Sequence, residues 1–148
     1  IQRAGHRVVL IEPGEIGEPQ TFDVDGIRFA LMTCYDVRFP EVARLLADTG
    51  AQVVLVAAEW VRGPLKEHHW RTLLHARAIE NTVFVVAAGQ PGPRYTGHSM
   101  VVDPLGDVLA EAAEEPAVLR ATLDGSVLEE ARRTNPSLAN RRLPSPSL

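Results

Sequence analysis

The chain's single cysteine, Cys34, stands where an apolar run from Ile27 to Thr33 stops. A charged turn carrying Asp36 and Arg38 follows, and then Pro40 and Glu41 open a helical pattern. A strand that ends in a thiol and turns at once toward a helix is a common way for an α/β protein to present a nucleophile. A lone cysteine also serves as a small buried hydrophobe, so its surroundings decide between the two. The other reactive side chains form weaker patterns. No G-x-S-x-G elbow exists, and Ser99 sits beside His98 within an expected strand, which argues against a serine nucleophile. Glu67, His68 and His69 open an expected helix, where adjacent histidines project from different faces, and no H-E-x-x-H spacing occurs. A solvated helix start is the better reading, and no metal is expected. Zinc at Cys34 would need partners at ligand spacing, which a single cysteine does not supply. Gly89-Gln90-Pro91-Gly92 matches neither a Walker nor a dinucleotide loop, so no cofactor is expected. A Cys/His pair stays open, with five histidines in the chain. Against it, Cys34 leads into a charged turn and not into a long helix whose dipole would lower its pKa.

The elements around Cys34 are those of an α/β protein. Gln20 to Val24 and Ile27 to Thr33 read as two strands joined by Asp25-Gly26, a pair suited to a tight hairpin because glycine accepts positive φ. Pro40 suits a first helical turn, and Val42, Leu45 and Leu46 recur at helical spacing until Gly50. Gln52 to Ala58 is a continuous apolar strand of the kind covered on both faces, and Thr82 to Gly89 repeats the pattern. Between them Trp70, Leu73, Leu74, Arg77 and Ala78 mark a helix over 66–81. If these strands are parallel, two consecutive right-handed β-α-β crossovers result. Arg77, Glu80 and Asn81 are expected to tie this helix to the sheet or to a partner subunit. His98 to Val102 and Asp107 to Ala110 flank Pro104-Leu105-Gly106 as a hairpin, in which His98 is a hydrogen-bonded strand residue. Two further strands are expected, an opening strand over 7–11 and a closing strand over 117–123, with a short helix over 126–133. The end, NPSLANRRLPSPSL, reads as a poorly ordered tail.

Composition narrows the class. With 148 residues, 45% of them hydrophobic and 23% charged, the chain suits one globular domain or part of one. A net charge of -4 with scattered arginines gives no basic patch for nucleic acid or an anionic membrane. No apolar run approaches a membrane span and the start lacks the pattern of a signal peptide, so the expected setting is cytoplasmic. One cysteine forms no internal disulfide, in keeping with a reducing compartment. Lys66 is the sole lysine, and the sequence opens on Ile1 without a methionine, which suggests a fragment.

The string CYDVRFPE, Cys34 to Glu41, resembles the nucleophile motif of the nitrilase, or carbon-nitrogen hydrolase, superfamily. VLVAAEW, HWRTLLHARAIENTVFVVAAGQ and GHSMVVDPLGDVLAEA resemble three further family segments in the family's order. The resemblance runs from about Gln20 to Leu123. It implies a four-layer α-β-β-α sandwich, an α/β (α+β) fold of which the N-terminal half is missing here. Residues 1–125 would then be the C-terminal part of the hydrolase domain, and 126–148 a terminal helix and tail. It also implies a Glu-Lys-Cys triad in which Cys34 attacks an amide or nitrile carbon and the backbone N–H of Tyr35 helps hold the oxyanion. The family's base and lysine precede the cysteine, ahead of Ile1, and Lys66 belongs to a different loop. An assisting glutamate of many members would fall near His6 or Arg7, neither of which can serve. This polypeptide alone is therefore expected to have little or no hydrolase activity.

Other positions carry lesser expectations. Arg38 and Glu41 would brace the turn as an ion pair, and Glu59 and Trp60, after the next strand, would form a pocket wall. The implied reaction is hydrolysis of a small linear amide to acid and ammonia, with the turn and the Glu-Trp loop closest to the ω-amidase and deaminated-glutathione amidase branch. The alternatives are N-carbamoyl amino acid hydrolysis, acyl transfer through the same thioester, and a catalytically dead binding or assembly subunit. The implied partners are a small-molecule amide and a second copy in a homodimer, with neither nucleic acid nor membrane.

Overall fold

The structure, a computed structural model, describes residues 18–143. The opening strand expected over 7–11 lies outside them. A six-stranded mixed sheet runs in the order β1-β2-β3-β4-β5-β6. Strands β1 (Thr21–Val24) and β2 (Ile27–Thr33) pair antiparallel around Asp25 and Gly26, both at positive φ, which is the two-residue hairpin geometry that matches strand twist. Strands β3 (Val53–Ala58) and β4 (Phe84–Gly89) extend β2 in parallel. Helix α1 (Pro40–Asp48) connects β2 to β3, and α2 (Lys66–Asn81) connects β3 to β4. The hairpin β5 (Met100–Val102) and β6 (Val108–Glu111) then adds two antiparallel strands.

Strand alternation builds two cores. Ala30, Met32, Val54, Val56, Val85 and Ala87 face one way and pack under α1 and α2 with Leu46, Trp70 and Leu74. Both crossover helices therefore cover the same face. On the other face Val53 and Phe84 meet Leu128 of α3 (Gly125–Thr134), with Phe29, Leu55, Val86, Leu123 and Val127 around them. That second cluster occupies only the end of the sheet where the parallel strands begin.

Three expectations change. Residues 117–123 form no strand: Val118 is 86% exposed, and the segment follows Pro116 past the β6 edge without a partner to satisfy its backbone. The tail is tied down at its start, where Ser137 Oγ donates to the carbonyl of Glu80, Leu138 packs on the main core, and Arg141 pairs with Asp48 at 2.8 Å. His98 lies ahead of β5 at φ 52 and is not a strand residue. Its carbonyl accepts from Trp70 Nε1 and its N–H donates to the carbonyl of Ala113, so loop contacts hold it.

Candidate active site

Cys34 begins a single turn of 3₁₀ helix, Cys34–Arg38, directly after β2. Its φ is 43°, a left-handed value that an L-residue adopts only where its surroundings over-determine it. Several contacts do so. The register of β2 on β3 fixes Thr33 opposite Ala57. The Asp36 carboxylate accepts from the N–H of Thr33 at 3.0 Å, and the carbonyl of Asp36 accepts from the N–H of Phe39. Val37 is fully buried in the main core, and its carbonyl accepts from Arg77 Nε of α2 at 3.0 Å. The turn thus lifts the partly exposed thiol out of the sheet while its other residues anchor beneath. Tyr35 follows with a half-exposed ring, and its N–H, at the start of a helical turn, has no acceptor within that turn.

The thiol opens on a cleft of about 660 Å³ lined by Thr33, Ala57, Ala58, Glu59, Ala88, Gly89, Gln90 and Pro91. These are the carboxyl ends of the three parallel strands, where open α/β sheets place their ligands. Parallel register sets Thr33, Ala57 and Ala88 side by side, and the small side chains leave the space. Gly89 admits no larger residue, because a Cβ there would collide with the carbonyl oxygen of Gly97. Sequence reasoning missed these walls, although the small residues ending two apolar runs signalled them.

The other expected residues fall in different places. Glu59 lies in the cleft, and its Oε2 accepts from the Tyr95 hydroxyl at 3.0 Å. Trp60 does not line it: the ring is 1% exposed, packs on Trp70 at 5.5 Å, and donates from Nε1 to the carbonyl of Lys66. The expected Arg38–Glu41 ion pair is corrected, since Glu41 is exposed on α1 while the Arg38 guanidinium lies 4.7 Å from the Trp60 ring and 5.2 Å from that of Tyr35. Lys66 Nζ also stacks on Trp60, at 4.2 Å, which holds the sole lysine outside the cleft walls. Ser99 Oγ bonds both backbone groups of Gly89, so it braces β4. Among the described residues, Glu67, His98 and Glu114 bring donor atoms within 4.8 Å of one another. Arg62 already engages Glu114 at 2.6 Å, and both carboxylates are exposed.

A mixed sheet with its crossover helices on one face, and a thiol raised on a strained turn at the carboxyl end of a parallel strand above a cleft of small residues, defines an α/β protein. The chain belongs to the carbon-nitrogen hydrolase family, whose profile matches residues 3–133. It is 47% identical over 126 residues to the deaminated glutathione amidase of Escherichia coli O157:H7, covering 85% of this chain and 48% of that protein. It is 42% identical over 120 residues to the 2-oxoglutaramate amidase of Bacillus subtilis, covering 78% and 45%. A solved mutant of the amidase from Nesterenkonia sp. AN1, carrying acrylamide added at its active-site cysteine, superposes with a TM-score of 0.67 at 36% identity, covering 82% of this chain and 48% of that one. The chain spans about half the length of these relatives.

Proposed function

We propose that the protein carrying this chain hydrolyses a small linear amide to a carboxylic acid and ammonia through an acyl-enzyme on Cys34. The observation that carries this reading is the placing of Cys34 at φ 43° on the rim of the cleft at the parallel strand ends. The Cys34 thiolate attacks the amide carbon and the Tyr35 N–H donates to the developing oxyanion; the nitrogen takes up a proton and leaves as ammonia as the C–N bond breaks, and water then cleaves the thioester to release the carboxylic acid and restore the thiol. Arg77 braces the turn from α2, Arg38 ties it to the Trp60 ring, and Glu59 forms part of the cleft wall. Amidase-named relatives and a family neighbour with a reacting active-site cysteine support the assignment. Residues 1–125 act in this reading as the C-terminal part of the hydrolase domain and 126–148 as its closing helix and tail. The working form is a cytoplasmic homodimer. Among the described residues no helix is long and apolar enough to cross a membrane.

A second reading, a non-catalytic binding or assembly subunit, draws on Lys66. The only lysine of the sequence is stacked on Trp60, so among the described residues no lysine lines the cleft beside the thiol. The two readings separate on ammonia release by the full-length protein, measured against ω-amides, N-carbamoyl amino acids and nitriles. Turnover of an ω-amide that Cys34→Ala abolishes, with an acylated Cys34 mass after acid quench, is the expected result. No turnover and no acyl adduct with any of the panel would refute the hydrolase in favour of the subunit.

A further inference from the structure

Away from Cys34, three segments distant in the chain bring ligand-type side chains together. Glu67 stands in the first turn of α2, His98 ahead of β5, and Glu114 beyond the end of β6. With one donor atom each they lie within 4.8 Å of one another, and none of them lines the nucleophile cleft. The imidazole supplies a second observation. Its side chain is 13% exposed, and Nδ1 is sealed from solvent with no hydrogen-bond partner. A carboxylate nevertheless faces each ring nitrogen. Glu67 Oε1 lies 3.4 Å from Nε2 and Glu111 Oε1 lies 3.6 Å from Nδ1, both beyond the usual N–H···O range of about 2.7–3.2 Å. A plain ion-pair cluster would draw the ring onto one of them; this one leaves it between them.

We propose that Glu67, His98 and Glu114 bind one divalent transition-metal ion of the zinc type, with Glu111 and Arg62 supporting them from behind. A tetrahedral zinc with bonds of about 2.0–2.2 Å holds its ligand atoms about 3.4 Å apart. The Nε2–Oε1 pair of His98 and Glu67 already stands at 3.4 Å, and the exposed Glu114 closes on the same point by side-chain rotation. A metal-bound histidine donates its other N–H to a carboxylate, and Glu111, held by Arg71 through both oxygens, is set against Nδ1 for that purpose. Arg62 is the resident cation. It donates to Glu114 Oε2 and lies in the field of Glu67 and Glu115, so the ion coordinates the other Glu114 oxygen beside it. That neighbouring charge and the imidazole favour a borderline ion over a hard one such as magnesium. The backbone of His98 is fixed beforehand, its carbonyl accepting from Trp70 Nε1 and its N–H donating to Ala113. Glu114 and Arg62 open on a cleft of about 470 Å³, which gives a hydrated ion its way in. Once bound, the ion joins α2 to the loops before β5 and after β6. Because the N–H of Gly97 donates to the carbonyl of Gln90, it also braces the Gln90 wall of the Cys34 cleft from outside.

Calorimetric titration of zinc into the full-length protein carrying this chain, stripped beforehand with chelator, tests the site. Cys34→Ser serves as the background, so that the nucleophile thiol offers no competing ligand. Zinc should bind with a tight component of one ion per chain and raise the melting temperature, and a large excess of magnesium should not displace it. Glu67→Gln and Glu114→Gln are near-isosteric changes at exposed positions. Each should weaken the tight component by about tenfold or more and leave the zinc-free melting temperature close to that of the background. Glu111→Gln should weaken it by about tenfold through His98, and His98→Gln should abolish it. Arg62→Gln, which removes the resident cation, should tighten it. A background protein that zinc neither binds tightly nor stabilises would overturn the site. So would zinc affinity unchanged in both Glu67→Gln and Glu114→Gln, the mark of an adventitious ion only. The decision rests on these two exposed positions, so a poorly folded His98→Gln does not affect it. Amide turnover plays no part in the readout, and the outcome stands apart from the hydrolase reading.

Discussion

Arg77 carries a buried positive charge that the fold uses at one point, the underside of the nucleophile turn. It is 5% exposed, donates from Nε to the carbonyl of Val37, and pairs through Nη1 with Glu80 at 2.7 Å. The Glu80 carboxylate in turn accepts from Asn81, and its backbone carbonyl accepts from Ser137, so the turn, α2 and the tail meet at Arg77 and Glu80. Replacing Arg77 by Met should lower unfolding free energy by about 1.5–3 kcal/mol, the range for a lost hydrogen bond to a charged group, as read by urea denaturation. Arg77→Lys keeps the charge but cannot reach both acceptors with a rigid fork, so it should fall between the two. Equal stability of Arg77→Met and wild type would remove Arg77 from the bracing of the turn. At this scale the sequence was informative where chemistry is rare and silent where contacts are geometric. Cys34 stands out as the only thiol at the end of an apolar run. Arg38 and Glu41 are three residues apart and of opposite sign, which suggested an ion pair. The stacking of Arg38 on Trp60 depends on a residue 22 positions on, in the loop after β3, that no local pattern reveals.

Among the elements, the three parallel strands and their two helices were legible because continuous apolar runs and helical spacing report burial directly. The segment after β6 was not. Ala117 to Leu123 has the β-branched, alternating look of a strand, but period alone supplies no partner, and only the end of the segment, at Leu123, joins the second core. Helix α3 comes next in the chain, set by an Asp124 cap whose carboxylate accepts from the hydroxyl and the N–H of Ser126. These hydrogen bonds, that from the hydroxyl first, hold the Asp124 carboxyl below its usual range. A carboxylate favoured in the folded state adds stability that is present above its unfolded pKa and is lost as pH falls through the folded one. Asp124→Ala should therefore lower the melting temperature at pH 6, and the gap to wild type should close as pH drops below the ordinary aspartate range. Asp124→Asn, which caps without titrating, should keep most of the wild-type stability at pH 6 and lose none of its capping on acidification. A gap between wild type and Asp124→Ala that stays constant from pH 6 to acid conditions would assign the effect to something other than the ionised cap.

For the whole molecule the two sheet faces are unequally covered, and this governs its behaviour in solution. Helices α1 and α2 cover one face along the full length of the parallel strands, while Leu128 and its neighbours cover only the near end of the other. Toward the Cys34 end that second face presents Leu31, Ala57 and Ala88, and Phe22 on the β1 edge is 41% exposed against Phe29. At the opposite edge β6 shows Val108 and Leu109 at 40% and 42%. An apolar strip between two unpaired sheet edges favours association over solvation, since each edge offers a row of unpaired backbone groups and the strip adds hydrophobic gain on contact. Arg28 and Asp23, paired at 2.9 Å on the β1 hairpin, place charge at one end only. The 148-residue chain on its own should therefore self-associate. Light scattering behind size exclusion should give a mass above 16.2 kDa that rises with concentration, and a fluorescent apolar dye should bind it in the folded state. Charge placed on the strip, as in Ala57→Glu or Ala88→Glu, should shift the chain toward monomer and weaken dye binding without lowering helix content, because both side chains already face solvent. A strictly monomeric wild-type chain that binds no dye at high concentration would show that residues outside 18–143 already cover this face within a single copy.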